Sequence, residues 1–304
     1  MEYKINNTPI EGFGLVAGRQ SNSNIAIAGC WDMPSRIGKV FHDWQDENGV
    51  EPYLRADEIF FGGRDISLYC WLAEGDRGNF VGTVQSLYDY IDTLQGSVFP
   101  LSSEFGTWNV QLIEASPVSY LNQGFGNIEL KFRQPVVEMT GAIPAATTSG
   151  IGIDKFSFSQ LGITKMLTKD QANRASSKQW ETTAYGVERI GPVRRNMREF
   201  TIDFFVDHPS YSSFNSCINN LQYLFSRPNA RTLRLDDNTT REFFVKDGFK
   251  VTNVRVTPTR VTSFLSLSIA EIKMLENWNL LTDSTNLILV DKHGQPLTEL
   301  LKGF

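Results

Sequence analysis

The sequence predicts a mainly β (α+β) protein made of two tandem β-sandwich or barrel domains, each with one flanking α-helix. Three observations support this fold class: the chain length, the strand-forming composition and an internal repeat. The chain has 304 residues, which is enough for two domains of ordinary size that each bury a core. Phe occurs 21 times, and Val, Ile, Thr and Tyr recur in short runs, which favours strands over helices.

The internal repeat decides where the elements lie. Residues 64–72 alternate apolar and other side chains with a period of two, and residues 198–206 do the same 134 positions later. The spacing continues without a gap into apolar residues at helical intervals, which predicts helices at 79–94 and 213–226. The residues predicted to pack between helix and sheet are Ile66, Leu68, Phe80, Val84 and Leu87 in the first half and Phe200, Ile202, Phe214, Ile218 and Leu221 in the second.

The domain boundaries follow from the ends of the repeat. We expect one domain at residues 1–140 and the second at residues 151–275. Between them, residues 141–150 are small, polar and punctuated by Pro and Gly, which is typical of a linker. Residues 276–304 have no counterpart in the first half and are expected to form a C-terminal extension, with one strand at 286–290.

A stretch rich in glycine and charged residues precedes the core of each half, at residues 34–61 and roughly 177–193. Each stretch predicts a long hairpin, with Trp44 and Trp180 as candidate anchors. The polar parts of the hairpins carry too many charges for a core. We therefore expect them to be arms that contact a neighbouring molecule.

Composition argues against several classes of protein. The net charge is −5 with scattered Lys and Arg, so we expect no sequence-specific nucleic-acid binding. Cys30, Cys70 and Cys217 have no paired spacing, which argues against disulfides and a zinc cluster and favours buried thiols. No stretch resembles a signal peptide or is long enough to span a bilayer, so we expect no membrane association.

No catalytic constellation emerges from the sequence. His42, His208 and His293 lie in different segments, without a partner at a spacing that would assemble a nucleophile and base. The acidic residues near His42 lack the ligand spacing of a calcium loop, so a charged hairpin is favoured over a cation site. The basic cluster at residues 194–198 is interpreted as a salt bridge rather than a nucleic-acid patch, because acidic residues flank it. We expect no enzyme activity, no catalytic or metal-binding residues and no cofactor.

Several segments carry a resemblance to a known family. Residues 29–34 (GCWDMP), residues 58–66 (EIFFGGRDI) and the helix at 79–94 resemble the ring-forming domain of siphophage distal tail proteins. That family shares its fold with phage tail-tube proteins and baseplate hub domains. The second half resembles the same fold through residues 198–225 and its closing strand, as in a tandem duplication. The likeness is a pattern of elements that covers most of the chain.

The resemblance implies a structural virion protein of the distal tail or baseplate that forms a ring around the DNA channel and is assembled in the host cytoplasm. Its partners would be further copies of itself, in a ring of three or six chains, and the tail tube, hub and tape measure proteins. Distal tail proteins commonly carry a galectin-like second domain, whereas here the second half repeats the helix-bearing plan. Three such chains could give a pseudo-sixfold ring. Two alternatives stay open: a major tail tube protein with duplicated domains, and a carbohydrate-binding β-sandwich module of the tail tip.

Overall fold

Strands dominate the structure. The computed structural model has 46% of its residues in strands and 15% in helices, and its antiparallel sheets are curled, which confirms the mainly β prediction. The described residues are 2–20, 22–45, 47–74, 77–115, 117–122, 124–146, 151–169, 173–178, 181–184, 186–191, 193–235, 240–272, 278–280 and 298–300.

The first half forms one antiparallel sheet with a helix packed against it. Its order is β2-β1-β8-β9-β11-β7-β3, with β10 also on β11 and β4 also on β7. A two-stranded hairpin of β5 and β6 lies outside this sheet. The elements are β1 (Tyr3–Ile5), β2 (Thr8–Pro9), a 3-10 helix (Ile10–Phe13), β3 (Leu15–Ala17), β4 (Ile27–Ala28), β5 (Phe41–His42), β6 (Glu51–Pro52), β7 (Arg64–Ala73), α1 (Arg77–Leu94), β8 (Phe99–Ser103), β9 (Gly106–Ala115), β10 (Ser119–Asn122) and β11 (Phe125–Gln134).

The second half forms another antiparallel sheet with the second helix. Its order is β13-β12-β20-β21-β23-β19-β14, with β22 also on β23. Its hairpin consists of β15 paired with β18 and β16 paired with β17. The elements are β12 (Gly152–Ile153), β13 (Phe156–Ser157), β14 (Ile163–Lys169), β15 (Ser177–Lys178), β16 (Glu181–Ala184), β17 (Val187–Ile190), β18 (Arg194–Arg195), β19 (Arg198–His208), α2 (Tyr211–Ser226), β20 (Arg231–Arg234), β21 (Thr240–Phe244), β22 (Phe249–Thr257) and β23 (Arg260–Glu271).

The two sheets have the same strand order. The strands at each position of the two sheets correspond in their order along the chain. The pairs are β1 with β12, β2 with β13, β3 with β14, β7 with β19, β8 with β20, β9 with β21 and β11 with β23. The ladders agree as well, since Ile66 faces Phe132 between β7 and β11, and Phe200 faces Ile269 between β19 and β23. The halves therefore share one chain path.

The helices lie where the periodicity places them. α1 begins at Arg77 and α2 at Tyr211, which are 134 positions apart, and each follows the long strand next to the sheet edge. Ser210 caps α2, because its hydroxyl accepts a hydrogen bond from the N–H of Ser213 at 3.2 Å. Neither of the helices described is long and apolar enough to cross a membrane.

The side chains predicted to pack between helix and sheet are buried with one exception. Nine of the ten have an exposed fraction of 3% or less. Val84 packs against the core but is only partly buried, because the buried stripe of α1 runs through Phe80, Leu87, Ile91 and Leu94 and leaves Val84 at its margin.

The buried apolar side chains form one cluster that is continuous across both halves. The described part of the predicted linker is packed as well. The N–H of Ala142 donates to Oδ1 of Asn220 at 2.7 Å, and Ile143 packs on the core. Residues 147–150 lie outside the described residues. The two units are therefore joined by packing as well as by the chain.

The hairpins and the extension differ from expectation in detail. Trp44, a predicted anchor of the first hairpin, is 46% exposed, and its Nε1 donates to Oε2 of Glu51 on the opposite strand at 2.9 Å. Trp180 lies outside the described residues, as does the predicted strand at 286–290. Of the extension, the structure describes β24 (Trp278–Leu280) and β25 (Thr298–Leu300), which pair with each other.

Candidate assembly interface

A segment of the first half runs along the edge strand β22 of the second sheet. We call this segment, residues 22–36, the strap, and the contact between the halves the seam. At its start, Asn24 makes a two-way contact with Val256: its Nδ2 donates to the carbonyl oxygen at 2.7 Å and its Oδ1 accepts from the N–H at 2.8 Å. The hydroxyl of Ser23 donates to the carbonyl of Val254 at 2.7 Å. These contacts satisfy backbone groups that an edge strand would otherwise expose.

The far end of the strap pairs with the beginning of β22. The N–H of Met33 donates to the carbonyl of Phe249 at 2.9 Å, and the two residues form an isolated antiparallel bridge. The carboxylate of Asp32 accepts from the N–H of Val251 at 2.7 Å. Gly248 has a φ of +68°, and a Cβ there would lie 2.0 Å from the carbonyl oxygen of Met33. Only glycine allows the strap to approach this closely.

An aromatic cluster fills the seam behind the strap. The Trp31 ring lies edge-on to Phe105 of its own half and to Tyr211 and Phe214 of α2, with centroid distances of 6.2, 6.3 and 5.7 Å. Gln222 of α2 is buried and donates from Nε2 to the carbonyl of Trp31 at 3.0 Å. Edge-to-face pairs of this kind add to the free energy gained by burying the rings. Trp31 thus joins the core of one half to the helix of the other.

The first hairpin extends the seam over the outer face of the second sheet. Phe41 lies 6.4 Å from Phe244 between ring centroids, in a small apolar cluster that is separate from the main core. The N–H of Gly49 donates to the carbonyl of Arg195 at 2.8 Å. Lys178 donates to the carboxylate of Asp43. The two hairpins therefore contact each other within one chain, whereas the sequence predicted arms that contact a neighbouring molecule.

Asp32 carries a buried charge at the seam. Burial raises the pKa of its carboxyl to about 6, against the smaller opposing effects of the Val251 N–H and of the charges on Lys250 and Arg64. Arg64 donates to the carbonyl of Asp32 at 3.3 Å, and burial lowers the pKa of its guanidinium. The charged groups of the seam are thus held partly out of water.

A polar pair occupies the same place in each half. Arg64 donates from Nε to Oε1 of Gln134 at 2.8 Å, and Arg198 donates from Nε to Oε2 of Glu271 at 2.6 Å. Arg64 and Arg198 begin corresponding strands, while Gln134 and Glu271 end the strands that face them. Glu271 is 1% exposed, so this pair is a buried ion pair. It provides the salt bridge predicted for the basic cluster at residues 194–198.

The outer faces of both sheets carry interleaved charges of both signs. Arg133 pairs with Asp65 at 2.7 Å, and Lys131 pairs with Glu114 at 3.1 Å, in the first sheet. In the second, Lys169 pairs with Asp203 at 2.7 Å and Arg260 with Asp207 at 2.6 Å. Exposed pairs such as these contribute little to stability, so they mainly determine the charge pattern of the surface.

The candidate chemical groups lie apart from one another. The His42 ring packs 4.0 Å from the Trp44 ring, burial lowers the pKa of His208, and His293 lies outside the described residues. Among the residues described, no three His, Cys, Asp or Glu side chains form a group that could hold a metal ion.

A cleft of about 710 Å³ opens at the seam, lined by Cys30, Trp31, Arg64 and side-chain amides. Burial raises the pKa of the Cys30 thiol, so the thiol is protonated and unreactive at neutral pH.

Comparison with protein-family models gives no match to this chain, and neither does comparison with curated protein sequences.

Proposed function

We propose that the protein is a structural component of a phage tail, in the distal tail or baseplate, and that three chains close a pseudo-sixfold ring around the DNA channel. The observation that carries this proposal is the seam. It joins two units of the same strand order along the edge strand β22, through an isolated bridge and hydrogen bonds from the strap, and a contact of this kind at a sheet edge suits subunits that close a ring.

The contact at the seam is one-directional. The first half supplies the strap and the Trp31 ring, and the second half receives them on β22 and α2. Repetition of such a head-to-tail contact generates a ring when the rotation closes and a filament when it does not. A closed ring also removes the exposed sheet edges that would otherwise promote aggregation. The one-directional seam thus supports a ring as the working form.

The surface charges suit a channel through which DNA passes. The outer sheet faces alternate acidic and basic side chains that pair with each other, and the net charge is −5. Tight binding of duplex DNA depends on Lys and Arg that neutralise many phosphates. A surface whose cations are already paired with carboxylates favours passage over retention.

Localisation in virions tests this proposal. We expect antibodies raised against the folded protein to label one site at the distal end of the tail in purified particles, and image reconstruction to show a ring there. Labelling along the entire tail would favour a tail tube protein instead. Absence of the protein from tails of the phage that encodes it would contradict the proposal.

A further inference from the structure

The strand β10 occupies in the first sheet the place that β22 occupies in the second. Ser119 faces Asn127 on β11, and Thr252 faces Phe264 on β23. From Ser119 to Asn122, and from Thr252 to Arg255, each strand has one residue more than the partner segment it faces, which runs from Asn127 to Phe125 and from Phe264 to Thr262. By this correspondence, Leu121 is the counterpart of Val254.

The two counterparts differ in what covers them. Val254 is 5% exposed, because the strap lies over it and bonds to its carbonyl through Ser23. Leu121 is 58% exposed. Within the described part of the chain, β10 pairs with β11 alone, so its outer edge has no strand beside it. The same sheet edge is therefore exposed in the first half and covered in the second half.

The second half has its own counterpart of the strap. In the first half, the N–H of Gly62 donates to the carbonyl of Ser35 at 3.0 Å, and in the second the N–H of Asn196 donates to the carbonyl of Ser176 at 2.9 Å. Gly62 and Asn196 are 134 positions apart, so residues 173–176 correspond to residues 32–35 at the end of the strap. Arg174 and Ser176 are exposed.

We infer that residues 173–176 of one chain pair with the outer edge of β10 of another copy of this chain, and that this contact closes the ring. The inference rests on the proposed ring function and names the surface through which it is achieved. Strand addition would satisfy the free backbone groups of β10 and bring the second half of the next chain over Leu121. The occupant is a second copy because the same edge in the other half is covered by this chain itself.

The contact between chains is smaller than the seam within a chain. The strap begins at residue 22 and follows β3, which ends at Ala17, whereas in the second half β14 continues to Lys169 and only three residues precede the counterpart segment 173–176. The contact between copies therefore lacks the equivalent of the Ser23 and Asn24 bonds. We expect rings to dissociate into folded single chains before the seam opens.

Chemical cross-linking tests the contact. In the variant Ser119→Cys/Arg174→Cys, both introduced thiols are exposed, while Cys30, Cys70 and Cys217 are buried. A short bismaleimide should link copies into pairs and triplets and stop at three chains on a denaturing gel. A mixture of the two single variants should give pairs only. The control Ile113→Cys/Arg174→Cys, whose Ile113 is 57% exposed on β9, should not form the series.

A second pair of variants keeps the test independent of the cysteines. Leu121→Lys should raise the concentration needed for ring assembly at least about tenfold, since it places a charge in the contact, and Ile113→Lys should not. The inference would be overturned if rings form but the Ser119→Cys/Arg174→Cys variant does not cross-link and Leu121→Lys does not weaken assembly. That result would leave the proposed function in place. Absence of rings in solution and in virions would overturn both.

Discussion

At the scale of single residues, the seam depends on a charge that burial disfavours. Asp32 has an ordinary pKa of 3.8 that rises to about 6 in the folded protein, mainly because the carboxyl is desolvated. The Val251 N–H holds the carboxylate in place at 2.7 Å but does not offset the cost of burying the charge. The seam is therefore less stable at neutral pH than it would be with a neutral acceptor at this position.

The variant Asp32→Asn should be more stable than the wild type at pH 7.5, by about 1 to 2 kcal/mol, at roughly 1.4 kcal/mol per pKa unit with a discount for residual exposure. The amide oxygen can still accept from Val251, and it has no charge to desolvate. Urea unfolding measures the difference.

The pH dependence gives a second check on Asp32. Because the folded state binds the proton more tightly, the wild type loses stability as pH rises from about 4 to about 6 and stays lower above that window. Asp32→Asn should not show that loss, and the two proteins should converge near pH 4. The control Asp65→Asn, at a carboxylate that is 69% exposed, should change little. A less stable Asp32→Asn protein at pH 7.5 would count against this account.

At the scale of elements, the alternation of apolar residues and their helical spacing predicted the regular strands and helices but not the irregular strap. The strands β7 and β19 and both helices could be placed because one register of 134 residues covers them without a gap. The strap could not, because residues 22–36 have no apolar period and bond to a strand more than 200 positions away. Trp31 was part of the family resemblance, yet nothing local indicates that it packs on α2. Contacts of this range depend on the tertiary structure.

The helix cores give a direct test of packing. Leu87→Ala in α1 and Leu221→Ala in α2 should each reduce the free energy of unfolding by about 2 to 5 kcal/mol, since both side chains are at most 1% exposed. Val81→Ala, at a position on α1 that is 50% exposed, should cost less than about 0.5 kcal/mol. Losses well under about 1 kcal/mol at both leucines would contradict the packing described.

Gly248 gives an independent test of the strap. Gly248→Ala should destabilise the protein by more than about 1 kcal/mol and speed hydrogen exchange at the amides of Val251 and Val256, because a Cβ cannot fit against Met33. The matched control is Gly82→Ala in α1, where a Cβ meets nothing within 4 Å. That change should stabilise the helix by about 0.5 to 1 kcal/mol. Unchanged exchange in β22 would show that the strap is not held there.

At the scale of the whole molecule, the two halves differ in one exposed sheet edge, which the proposed assembly would cover. Two units of one strand order lie side by side, and the edge that is covered in one is uncovered in the other. The sequence predicted the repeat and suggested the ring through family resemblance, but only the three-dimensional arrangement distinguishes the covered edge from the free one. This asymmetry is the basis for the proposed head-to-tail addition of further copies.

The number of chains in the ring tests the central claim most directly. Native mass spectrometry of the assembled protein, together with top-view class averages, should give about 103 kDa for three chains of 34.3 kDa and six similar lobes around the channel. A ring of about 206 kDa, with one half of each chain projecting outward, would show that the halves are not equivalent in the ring. A single chain of about 34 kDa at every concentration, with no ring in virions, would contradict the account altogether.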